Sequence, residues 1–140
     1  MTRSKLTEKA LILTLFVFAL LPVVKGHCGG IAFAKGQIVK SGEKGLVIEI
    51  DLNKSQLNSA ILSLLIPKEF EIVKAEPNFS NFLKDNSIAK WLIRPNSSNK
   101  IKIFIEFNKE IDDLSKFKAT IQYKEPSSGI IKDKELIIKK

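Results

Sequence analysis

The chain has 140 residues, enough for one domain with its own apolar core. Its formal charge is +8, from 23 Lys and Arg against 15 Asp and Glu, with no basic stripe interleaved with aromatics, which argues against a nucleic-acid binder. A single cysteine excludes an internal disulfide, so stability has to come from buried apolar surface.

Arg3, Lys5 and Lys9 form a basic start, an uncharged and mainly apolar run extends from Ala10 to Val24, and a short polar segment follows. That three-part layout predicts a secretory signal peptide over residues 1–26, with cleavage after Gly26. The run is shorter than the about 20 residues a membrane span needs. Three alternatives stay open: a cut after the Ala32-Phe33-Ala34 triplet, lipid attachment at Cys28, and an uncleaved anchor. Removal of residues 1–26 takes away Arg3, Lys5, Lys9, Lys25 and Glu8. It leaves 19 basic against 14 acidic groups, a charge of +5. Such a charge favours acidic glycans or anionic lipid heads over neutral partners; a soluble surface rich in lysine is the simpler account of it.

Gly30 to Val39 predicts an opening strand, with Ile31 and Phe33 on one face. Lys40 to Gly45 is a turn, where Gly42 and Gly45 supply backbone freedom. Leu46 to Leu52 alternates, with Leu46, Ile48, Ile50 and Leu52 inward and Val47, Glu49 and Asp51 outward. Asn53 to Asn58 is a polar connection. Next comes the central stretch, Ser59 to Pro77. Ala60, Leu62, Leu64 and Ile66 share one face of a strand, and Ile61, Ser63 and Leu65 share a face that is only partly polar. Leu and Ala also suit a helix. Pro67 decides against a long one, because it pushes Ile66 towards extended geometry. Beyond that corner, Phe70, Ile72 and Lys74 alternate with Glu71, Val73 and Ala75 until Pro77.

Asn78 to Ser87 is the least regular stretch. The three- and four-residue spacing of Phe79, Phe82 and Leu83 predicts one helical turn packed as a lid. Ile88 to Ile93 is a short strand with Ala89, Trp91 and Ile93 in phase, and Arg94 to Asn99 is turn chemistry. Lys100 to Asn108 is the cleanest alternation, with Ile101, Ile103, Ile105 and Phe107 inward. Lys109 to Lys116 is an acidic loop. Phe117 to Lys124 places Phe117, Ala119, Ile121 and Tyr123 in phase. After a turn at Pro126 to Gly129, Ile130 to Lys140 is a last strand whose lysines suit a sheet edge. About eight short strands joined by turn-rich loops predict an all-β chain, a single sandwich over residues 27–140 of immunoglobulin-like or jelly-roll type.

The order of these features resembles cohesin-like and related carbohydrate-binding-module-like sandwiches of secreted proteins. The resemblance rests on Ser41-Gly42-Glu43, on Asp51-Leu52-Asn53, on Pro67-Lys68-Glu69-Phe70 running into Ile72 to Pro77, and on the late strand Phe117 to Tyr123. It implies a secreted module that binds a protein or polysaccharide partner at the cell envelope through a sheet face or loops. No functional residue is carried over from it.

Candidate partner-binding residues are Phe104, Trp91 and Tyr123. Phe104 lies between Lys102 and Glu106 on the polar face of its strand, where a large aromatic group is out of place unless it meets a partner. Trp91 and Tyr123 fit a sugar-stacking platform, although their phase with apolar neighbours favours burial. His27 and Cys28, the first residues after the expected cut, offer an amine, an imidazole and a thiolate. These could hold copper, and that makes a periplasmic metal-handling protein the alternative reading. Glu110, Asp112 and Asp113 offer oxygen ligands for calcium, against the simpler reading of a solvated acidic turn. Asn53, Asn78 and Asn96 begin glycosylation sequons. His27 is the only histidine, and no GxSxG, HExxH or P-loop pattern occurs, so no enzyme is expected and no cofactor is implied.

Overall fold

The computed structural model describes residues 34–52, 57–94 and 99–139, which belong to one compact unit, Ile31–Lys140. The expected signal peptide, its cleavage sites, His27 and Cys28 lie outside the described residues. So do Ile31, Phe33, Asn53 and Asn96.

The described chain is all-β and forms two five-stranded sheets. The strands are β1 (Ala34–Ser41), β2 (Gly45–Leu52), β3 (Ala60–Leu65), β4 (Ile72–Glu76), β5 (Asn81–Leu83), β6 (Ile88–Ile93), β7 (Lys100–Phe107), β8 (Lys118–Lys124), β9 (Ile131–Glu135) and β10 (Ile137–Lys139). The first sheet has the order β10-β1-β2-β7-β4 and the second β5-β6-β3-β8-β9. From β2 to β8 the chain changes sheet at every step except the β5–β6 hairpin. This is the winding of a jelly roll.

The alternation read from the sequence sets which face of each strand is buried. Leu46, Ile48, Ile50 and Leu52 of β2, with Ile103, Ile105 and Phe107 of the neighbouring β7, share one core with Leu62 and Leu64 of β3 and Ala119 and Ile121 of β8 in the other sheet. Each such aliphatic side chain contributes about 1.5–3 kcal/mol on full burial. At one end Phe70, Phe107 and Phe117 pack edge to face and tilted, with ring centroids 5.1–5.7 Å apart. Ile111 is also buried, in the loop expected to be acidic, and its carbonyl accepts a 2.6 Å hydrogen bond from Lys40 Nζ.

Ten strands replace the expected eight, for two local reasons. The segment expected to form a helical lid is instead the edge strand β5, followed by a single 3-10 turn at Lys84–Asn86. Phe82 lies opposite Ala89 of β6 and takes its place in the sheet, so its spacing from Phe79 never acts as a helical period. The expected last strand divides at Leu136. There the chain leaves the second sheet as β9, donates the Leu136 N–H to Ala119 O at 2.8 Å, and joins the first sheet as β10, parallel to β1. A third difference lies in β4. A register irregularity between Ile72 and Lys74 shifts the phase, so Ala75 is buried while Lys74 and Val73 are exposed.

Candidate functional site

The outward face of the first sheet carries the chemistry. Its cross-strand rows follow from the register of β1, β2 and β7. Lys35, Asp51 and Lys100 make one row, and Gln37, Glu49 and Lys102 the next. Val39, Val47 and Phe104 make the third, extended by Glu76 on β4. On the other side, β10 places Ile137 beside Gln37 and Lys139 beside Val39.

Opposite charges face each other directly across β2 and β7, as Glu49 with Lys102 and Asp51 with Lys100. Such pairs favour this register over a slipped one. Lys102 Nζ lies 3.0 Å from Glu49 Oε1, and Gln37 Nε2 donates to Glu49 Oε2. The Gln37 hydrogen bond first, and then the one from Lys102, hold the Glu49 carboxyl below the usual glutamate range.

Phe104 stands 51% exposed in this face, with its ring in the row of half-buried valines. Two depressions mark this face, and Phe104 lines the smaller one. One, of about 870 Å³, crosses β10, β1, β2 and β7; its charged lining is Lys35, Lys100, Lys102 and Lys139 against Glu49 and Asp51. The other, of about 540 Å³, has mixed charge, with Lys74 and Glu76 3.7 Å apart beside Glu106. Phe104 therefore occupies the outward position that the alternation of Lys100 to Asn108 assigned to it.

Trp91 and Tyr123 do not form a platform with it. Trp91 is 2% exposed on the inward face of β6, where its ring N–H donates to Pro77 O at 2.9 Å and its indole meets Phe79 edge-on at 6.1 Å. A ring closed off in this way cannot stack on a sugar, and the burial favoured by its apolar phase is what the structure has. Tyr123 is half-buried at the end of the inward face of β8 and packs against the core.

The acidic loop serves the fold. Asp113 Oδ1 accepts the Ser115 N–H at 2.9 Å and caps the 3-10 turn Leu114–Lys116. Lys116 Nζ lies 3.3 Å from Asp112 Oδ2. Among the described residues no group of three or more His, Cys, Asp or Glu could hold a metal ion.

The second sheet presents a different outer face. Ile61 and Leu92 lie directly opposite each other, and Leu65 lies opposite Ile88, with Lys90 and Ser63 between the two pairs. Ile61, Leu65 and Leu92 are exposed and Ile88 is half-buried, in keeping with the partly polar face of the Ala60–Leu65 strand, and the described strands' outward positions carry no aromatic ring.

Sequence reading missed the lysine-lined groove. The one available signal was the pair of outward carboxylates Glu49 and Asp51 set against the outward lysines 100 and 102, a pattern of two strands seeking each other. The place of Lys139 had no such signal, because it depends on the strand switch at Leu136. No protein-family model matches this chain, and no curated protein matches it either. Among the described residues no helix is long and apolar enough to cross a membrane.

Proposed function

We propose that this protein is a secreted, non-enzymatic β-sandwich module that holds a protein or polysaccharide partner at the cell envelope, on the outward face of the first sheet. The observation that carries this reading is Phe104. A phenylalanine half exposed among lysines and glutamates loses the benefit of burial until something covers it. The two depressions of the same face, one of them lined by Phe104, give a partner relief to grip. The charges around it fix orientation and suppress mismatched partners. The basic start and apolar run of residues 1–26 support export, and the resemblance to cohesin-like sandwiches is in keeping with a docking role.

Co-sedimentation of the purified protein with a cell-envelope preparation from its native host tests the docking role. Phe104→Ala is expected to weaken retention about tenfold or more, while Ile131→Ala, an exposed residue on the other sheet, leaves it unchanged. Equal retention of Phe104→Ala and the parent would refute this face as the docking site. Export has its own test in the mass of the N-terminus. A chain beginning at His27 supports the reading, and an intact Met1 in the envelope fraction opposes it.

A further inference from the structure

Resting on the export part of that reading, we propose that Asn78 is an N-glycosylation site, carrying an oligosaccharide on the lateral side of the sandwich where β4 and β5 leave their edges open. The sequence there is Asn78-Phe79-Ser80, the acceptor pattern Asn-x-Ser with x other than proline. It is the triplet of this kind that lies within the described residues. Residues 77–80 join the end of β4, in the first sheet, to the start of β5, in the second. The connection is pinned on both sides of Asn78. Trp91 Nε1–H donates to Pro77 O at 2.9 Å, and the Ser80 N–H donates to Lys90 O at 2.7 Å. Asn78 itself is exposed, and its side-chain amide makes no hydrogen bond among the described residues.

The surroundings suit a sugar chain. Among the described strands β4 pairs only with β7 and β5 only with β6, so each has an open edge on this side. Val73 of β4 is exposed, and the rings of Phe79 and Phe82, each 37% exposed, lie 5.9 Å apart. A glycan rooted at Asn78 starts one residue from Phe79 and four from Phe82. It lays its apolar ring faces on these aromatics and bars another strand from adding to either edge. In the transfer, the Asn78 amide nitrogen forms a bond to the anomeric carbon of an oligosaccharide carried on a lipid pyrophosphate. The bond from that carbon to the pyrophosphate oxygen breaks, lipid pyrophosphate leaves with the electron pair, and the amide gives up one proton. Nothing is oxidised or reduced. In the folded chain Ser80 Oγ accepts the Leu92 N–H at 3.1 Å, so a transferase that must reach this hydroxyl together with the Asn78 amide acts before β5 docks on β6.

The test is mass spectrometry of the full chain recovered from its native host and digested with trypsin. Cleavage after Lys74 and Lys84 releases residues 75–84 as one peptide that holds Asn78. This peptide is expected to be heavier than its sequence by whole sugar residues, with the added mass on Asn78 in fragment spectra. Asn78→Gln and Ser80→Ala should each lose the added mass completely, and Ser80→Thr, which keeps the acceptor pattern, should retain it. Circular dichroism of each variant confirms that the fold survives. The N-terminal peptide of the same digest reports export separately. An unmodified 75–84 peptide from a chain that has lost its basic start and apolar run would overturn the glycan and leave export standing. Sugar confined to the peptides of Asn53 or Asn96 would overturn the assignment to Asn78 in the same way. Added mass that survives Ser80→Ala would overturn the acceptor pattern as its cause. An unmodified peptide from a chain that keeps Met1 would overturn the glycan and export together.

Discussion

Gly36 has no room for a methyl group. A Cβ built there would lie 2.7 Å from Leu136 Cδ2 and 2.9 Å from the carbonyl oxygen of Glu49. The first contact involves a flexible tip that can move, and the second is backbone that cannot. Gly36→Ala is expected to destabilise the protein by about 1–3 kcal/mol, read as a lower urea midpoint with an unchanged slope. Adding Leu136→Ala should recover part of this and not all of it, because the carbonyl clash remains; strict additivity of the two changes would show that they do not touch. Glu49 is the other residue whose surroundings make a prediction. Its folded-state pKa is lowered by Gln37 first and Lys102 second. Its interactions therefore favour the folded state above the ordinary glutamate pKa, and that contribution disappears as pH falls through the lowered value. In an NMR titration the Glu49 carboxyl should titrate below the usual glutamate range. Gln37→Ala and Lys102→Ala should each raise its midpoint, and an ordinary midpoint in the parent would mean that these contacts are not kept in solution.

Elements differ in how they are held. β2, β7, β3 and β8 each have a hydrogen-bonded neighbour on both sides and a buried inward face. β5 and β10 are three-residue edge strands with one neighbour each, and Ile137 of β10 is 73% exposed. Native-state hydrogen exchange should rank them accordingly, with the slowest amides in β2, β3, β7 and β8 and the fastest strand amides in β5 and β10. Protection in β10 equal to that in β2 would show that the switch at Leu136 locks the C-terminal segment more firmly than its pairing suggests. Edge protection itself is handled chemically. β9 carries Lys132, Asp133 and Lys134 along its open side, and β4 carries the register irregularity, both of which discourage pairing with another chain. The outward row Glu49, Asp51 against Lys102, Lys100 works at the same scale. It fixes the register of β2 on β7 and so places Phe104 beside Val47.

At the scale of the whole molecule, the pairings join segments far apart in the chain. β2 pairs with β7, β3 with β8, and β10 with β1. Loop closure has to be met before most contacts form, so folding is expected on the millisecond-to-second scale of high-contact-order β proteins. Stopped-flow fluorescence of Trp91, whose indole becomes buried only on folding, reads this directly; microsecond folding would contradict the topology. The inward residues of β2, β3, β6, β7 and β8 were legible from sequence, because a period of two needs only local backbone geometry and an apolar interior. The burial of Trp91 and the outward position of Phe104 were legible for the same reason. The strand β5, the phase shift in β4 and the split at Leu136 were not. Each exists because a partner segment is present: β6 takes up Phe82, β7 admits the irregularity, and Gly36 leaves the space that Leu136 fills. The amino-acid sequence alone decided which side of each strand faces inward. Only the tertiary structure decided which outward sides lie next to one another, because strand order depends on pairings between distant segments, and the lysine-lined groove on the outer face of the first sheet is a product of that order.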